Sequence, residues 1–88
     1  MRVEMHKSFL ISLRKRILPN KALCIKFSER VKRFEFDRTD PILKDHALIG
    51  KKSGYRAFSV AGDVRVVYKM IETDTALLVD IGTHNQVY

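Results

Sequence analysis

The sequence is short of the residues that build cross-links and of the apolar runs that build membrane spans. Cys24 is the only cysteine, which excludes an internal disulfide and a cysteine-based metal cluster. Its expected role is that of a small buried hydrophobe. Phe9-Leu10-Ile11 opens an apolar stretch, but Arg14 ends it too early for a signal-peptide core or a transmembrane segment. The expected location is therefore cytoplasmic, without membrane association. There is no glycine-rich phosphate loop and no pair of histidines at metal-ligating helical spacing. His6, Cys24, His46 and His84 are too scattered to read as a metal site, so neither a metal nor a small-molecule cofactor is expected.

Acidic residues are also scarce. Ten Asp and Glu face seventeen Lys and Arg, a net charge of +7 over 88 residues. From Lys7 to Arg33 nine basic residues stand against one acid, Glu29, so the whole excess lies in the N-terminal third. Such a stripe attracts polyanions through phosphate neutralisation and counterion release. The competing reading is a solvated face on two amphipathic helices. The 45% apolar content is that of an ordinary globular chain, and the length suits one domain, residues 1–88, with one core.

Met1 to Met5 alternate loosely, as a short strand would. From His6 the period changes: Phe9, Leu13 and Ile17 recur at helical spacing. Pro19-Asn20 breaks that pattern, and Asn20 is a suitable N-cap for a second helix carrying Leu23, Phe27, Val31 and Phe34 on one face. This helix should fade near Asp37, before Thr39-Asp40-Pro41. Residues 42–54 read as irregular. Tyr55–Val60, Arg65–Ile71 and Ala76–Ile81 read as strands joined by connections short enough for hairpins. The predicted fold is α+β: a short strand and a helix pair packed on an antiparallel sheet, in the order β-α-α-β-β-β. The sheet face away from the helices should be at least partly open.

RNA is cut without a metal when a base takes the 2′-OH proton, an acid protonates the departing 5′-oxygen and cations stabilise the charge at phosphorus. Candidates for all three lie in loops and at strand ends. His46 stands in the loop before the sheet, where a histidine is often only a solvated polar group. Asp63 occupies a hairpin turn, where aspartate is favoured for backbone reasons alone. His84 directly follows the last strand, in a segment with no hydrophobic reason for a histidine, and its side chain can serve as acid or base near neutral pH. Lys52, Arg56 and Arg65 are the neighbouring cations, and the two arginines could reach one phosphate if they share a face. The alternative makes each a strand-surface charge paired with Glu72 or Asp80. Tyr55, Tyr68 and Tyr88 are able to stack on bases; Tyr68 reads as core, whereas Tyr88 has little structural reason for its place.

Taken in order, Asp45-His46-Ala47-Leu48-Ile49-Gly50, Gly54-Tyr55-Arg56, Gly62-Asp63-Val64-Arg65-Val66-Val67-Tyr68-Lys69 and Ile81-Gly82-Thr83-His84 resemble the YafQ branch of the RelE/ParE toxin superfamily. The likeness covers residues 43–88 by motif and the N-terminal half in layout. It implies a RelE-like microbial RNase fold and a metal-independent mRNA endonuclease acting in the ribosomal A site. It also implies a cognate antitoxin protein as partner. His46, Asp63 and His84 match the family's catalytic His, Asp and His, and Tyr88 falls where the family places an aromatic residue. Arg65 agrees with an arginine of RelE-like relatives. Ser59 stands where YafQ-like sequences carry a further histidine, and Val64 where they carry tryptophan. Two other readings stay open: a ParE-like inhibitor of DNA gyrase on the same fold, and a catalytically decayed RNA-binding module.

Overall fold

The computed structural model describes residues 1–88. Strand β1 (Arg2–Met5) opens the chain. His6 then caps α1 (Lys7–Ser12), its Nδ1 accepting the Ser8 N–H at 3.1 Å. The helix continues as a π-helical turn over Leu13–Ile17, where the Leu18 N–H donates to the Leu13 carbonyl at 3.0 Å. After the Pro19-Asn20 break, Asn20 Oδ1 accepts the Leu23 N–H at 3.1 Å and starts α2 (Lys21–Phe36), as the capping preference predicts. The helix ends one residue before Asp37. There Thr39 donates its hydroxyl and its N–H to Asp37 Oδ1, at 2.6 and 2.9 Å. Both bonds favour the carboxylate, the hydroxyl more than the backbone, and hold its pKa below the ordinary value.

The stretch read as irregular contains more order than its sequence shows. A 3-10 turn, Pro41–Leu43, leads through Lys44 to a two-residue strand, β2 (His46–Ala47). A second 3-10 turn covers Gly50–Lys52. Strands β3 (Arg56–Ala61), β4 (Val64–Glu72) and β5 (Thr75–Thr83) follow as the expected antiparallel meander, and a one-turn helix, α3 (His84–Val87), ends the chain. The sheet order is β1-β5-β4-β3-β2. β2 extends the meander antiparallel to β3, and β1 pairs parallel with β5, so the five-stranded sheet is mixed.

One sheet face meets the helix pair. Phe58 and Val60 of β3, Val64, Val66 and Tyr68 of β4, and Ala76, Leu78 and Ile81 of β5 join Phe9, Ile17, Phe34 and Leu43 in a core of 12 buried residues. Phe34 of α2 stacks on Phe58 at 4.5 Å and meets Tyr68 edge-on at 4.8 Å, geometries that add to simple burial. Cys24 lies partly buried against this core, its Sγ 3.4 Å from the Ile17 carbonyl.

The other face is not bare. Val66 and Val67 are both fully buried, and neighbouring strand residues point to opposite faces, so both sides are covered at this point. Ala57, Val67 and Val87 are buried outside the main core, and α3 lies against β4 and β5. The terminal helix thus caps the centre of a face that periodicity alone leaves open. No helix is long and apolar enough to cross a membrane.

Candidate active site

β5 runs directly into α3, and the junction is fixed by close packing. The Thr83 N–H donates to Gln86 Oε1 at 2.8 Å, the side chain three residues along reaching back to the helix start. Gly82 makes this possible. A Cβ there would stand 2.6 Å from Gln86 Oε1 and 2.8 Å from Arg16 Nη1. Arg16, in turn, donates to the Ile81 carbonyl at 3.1 Å and pairs with Asp80 at 3.3 Å. With its start held in this way, α3 places two side chains one turn apart. His84 is exposed, and the Tyr88 ring meets its imidazole edge-on at 4.6 Å.

Arg65 comes to the same place from β4. Its Nη1 donates to Ser59 Oγ and to the Gly62 carbonyl, both at 3.1 Å. Partial burial raises the Tyr88 phenol pKa, while the adjacent Arg65 guanidinium pulls the other way. Tyr88 also closes a cavity of about 290 Å³ lined by Leu48, Ile49, Lys51 and Lys52, so the loop after β2 folds back onto the terminal aromatic. Asp63, in the turn before β4, lies at the same sheet end, because Val64 pairs with Thr83. His46 pairs with Ala57 and so shares the face of Ala57, Ser59 and Arg65, at its outer edge. Three strand spacings of about 4.8 Å separate β2 from β5.

Of the residues picked out by sequence, Arg65, His84, Tyr88 and Lys52 form one group. Asp63 stands beside it and His46 at its margin. Arg56 does not belong to it. A regular ladder closing on the Ala61–Val64 pair would set Val60 opposite Arg65, which would place Arg56 and Arg65 on one face. A one-residue bulge between Ser59 and Ala61 shifts the pairing to Ser59–Arg65, and a one-residue slip reverses the face. Arg56 therefore lies on the helix side, paired in register with Tyr68. Its Nε donates to Asp45 Oδ1 at 3.2 Å, rather than to either of the expected partners Glu72 and Asp80. Burial opposes its charged form, yet Asp45 and Tyr68 together hold its pKa above the ordinary value.

Sequence reasoning missed three contributors. Ser59, noted as a departure from the family pattern, anchors Arg65. The Thr83-to-Gln86 spacing is a capping signature that was readable in advance. Asp45 is the third: its carboxylate accepts the Tyr68 hydroxyl at 2.8 Å as well as Arg56, and its side chain is 8% exposed. Val64, at the position of the family's tryptophan, belongs to the core. No three His, Cys, Asp or Glu side chains come together as a metal site.

No family model matches the chain, and no curated protein matches it. Solved structures do. A copper-bound mutant toxin from Helicobacter pylori superposes with a TM-score of 0.80 at 27% identity, covering 100% of this chain and 99% of that one. YafQ from E. coli gives 0.82 at 20% identity, with the same coverage. The E. coli DinJ-YafQ complex gives 0.76 at 22% identity, again over 100% and 99%.

Proposed function

Since the chain belongs by its fold with the RelE/YafQ-like toxins, we propose that it is the toxin of a type II toxin-antitoxin pair. Its proposed activity is metal-independent cleavage of messenger RNA in the ribosomal A site. The observation that carries this reading is the convergence of an exposed imidazole, an arginine and an aromatic ring at one sheet end: His84, Arg65 and Tyr88.

In this mechanism a base removes the 2′-OH proton and the 2′-oxygen attacks phosphorus. The 5′-oxygen leaves with a proton from His84, and a 2′,3′-cyclic phosphate remains. Arg65, already oriented by Ser59 and Gly62, stabilises the charge that grows on the phosphorane, with Lys52 across the cavity beside Tyr88. Tyr88 offers a stacking surface for a splayed base. The base is His46 or Asp63. Asp63 lies closer to His84 in the sheet register. YafQ occurs in a complex with DinJ, and by analogy a small antitoxin would hold this chain inactive. The basic N-terminal third favours an acidic binding segment in that partner.

The test is primer extension on mRNA in purified translating ribosomes, comparing wild type with His84→Ala. A-site cleavage that disappears in the variant is the expected result. Intact mRNA with the wild type would overturn the nuclease reading, and inhibition of gyrase supercoiling by the same preparation would replace it.

A further inference from the structure

His46 makes a bond that fixes the location of its proton. Its Nδ1 lies 3.0 Å from the carbonyl oxygen of Lys44. A carbonyl only accepts, so the proton of the neutral ring sits on Nδ1 and the Nε2 lone pair is left free. Histidine in this tautomer presents a base to solvent. The bond spans two residues and depends on Lys44, which has φ of 50° and is the one non-glycine residue of the chain in the left-handed region. That conformation costs about 1–2 kcal/mol and persists only where neighbouring structure imposes it.

Lys44 is flanked by two fixed points: its own N–H closes the Pro41–Leu43 turn on the Pro41 carbonyl at 3.2 Å, and Asp45 follows it. Between the strained Lys44 and the exposed His46, the Asp45 carboxylate turns inward and is nearly buried. Tyr68 donates to both of its oxygens at 2.8 Å, Arg56 donates at 3.2 Å, and Arg38 stands at 3.8 Å. Tyr68 belongs to β4 and the core, Arg56 to β3, and Arg38 to the turn after α2. A strand of two residues has few ladder bonds of its own; beyond it the Leu48 N–H donates to the Tyr55 carbonyl at 2.9 Å, and on its other side stands this buried anchor.

We propose that Asp45, gripped by Tyr68 and Arg56, is a positioning residue: it sets the Lys44–His46 turn so that the Lys44 carbonyl holds the Nδ1 proton and His46 Nε2 faces the RNA as the base. The assignment rests on the nuclease reading for its catalytic part. Its structural part, the tautomer and what enforces it, stands without that reading. Arg56, displaced from the phosphate by the bulge in β3, thereby acts on the opposite face.

The decisive measurement is the nitrogen-15 spectrum of the histidine rings in the full-length protein at a pH where they are neutral, with His46 assigned through His46→Gln. The wild type is expected to show a protonated Nδ1 and a pyridine-type Nε2. Asp45→Asn and Tyr68→Phe are expected to turn this into a mixture of tautomers and to slow A-site cleavage by up to about a hundredfold. Tyr68→Phe keeps the core ring and serves if Asp45→Asn does not fold. Ile81→Val, which weakens the core elsewhere, should leave the tautomer unchanged. An Nε2-protonated wild-type ring, or an Nδ1-protonated ring unaffected by both variants, would overturn the proposal. An anchored tautomer in a protein that cuts no mRNA would remove the nuclease reading and keep the positioning role.

Discussion

Val66 and Val67 are neighbours in β4 and are equally buried, yet they serve two faces built on different terms. On the helix side Val66 joins a 12-residue core whose polar margin, Asp45 with Tyr68 and Arg56, is closed by hydrogen bonds. On the other side Val67 has Ala57 and Val87 as its buried apolar company, and around this small patch stand Ser59, Arg65, His84, Tyr88 and Lys52. One face gathers the apolar burial that stabilises the fold. The other leaves His84 and Tyr88 exposed, with Arg65 and Lys52 half-buried beside them. The comparison teaches that the alternation of one strand separates stability from chemistry.

The largest effect should come from the helix side. Phe58→Ala removes the ring stacked on Phe34 at 4.5 Å and leaves a cavity in the core, a loss of about 3–5 kcal/mol. The fall in urea midpoint with an unchanged slope is the readout. A loss below about 1 kcal/mol would mean that α2 does not depend on this contact. His84→Ala tests the opposite side. Cleavage should drop by a factor of about 10²–10⁴, while the exposed position limits the stability change to about 0.5 kcal/mol. A variant as unstable as Phe58→Ala would erase the distinction between the faces.

Much of this division was legible in the sequence. The helix pair, its break at Asn20 and the three long strands follow from periodicity and capping, and their bounds move by only a residue or two. His84 and Tyr88 stood out because no packing pattern asked for them. The missing parts have physical reasons. A two-residue strand such as β2 has no period to detect. The π-helical turn at Leu13–Ile17 has an ordinary helical composition. The relative faces of Arg56 and Arg65 depend on a one-residue bulge that neither hairpin residue announces. Asp45 looked like a loop acid because its partners, Tyr68 and Arg56, are 23 and 11 residues away, and single-sequence patterns carry no pairing information over such spans.

The polar margin of the core should reveal itself at alkaline pH. Burial, with the adjacent Asp45 carboxylate adding to it, pushes the Tyr68 hydroxyl from 10.0 to about 12, against the pull of Arg38 and Arg56. The folded value lies above the unfolded one, so this contribution is fully present below pH 10 and is lost as pH rises towards 12. Two pH units correspond to about 2–3 kcal/mol. Urea titrations between pH 9 and pH 12 should show that decline in the wild type and a shallower one in Tyr68→Phe. Identical slopes would mean that the hydroxyl is not held by the fold.

Gly82→Ala should produce the smallest effect and the most informative one, because it touches the seam between the two faces. The new methyl would meet the Gln86 amide at 2.6 Å, the Arg16 guanidinium at 2.8 Å and Gln86 Cβ at 3.0 Å. Two of these are flexible ends that can move aside. In moving, Gln86 gives up the Thr83 N–H and Arg16 gives up the Ile81 carbonyl. Loss of such a cap costs about 1 kcal/mol, which denaturation can resolve. The imidazole remains in place, so cleavage should fall several-fold rather than the hundredfold or more expected for His84→Ala. If stability falls while cleavage is unchanged, α3 is only a lid over Val67, and the position of His84 does not depend on how the helix begins. If both fall together, the cap that closes the second face also aims the proposed acid.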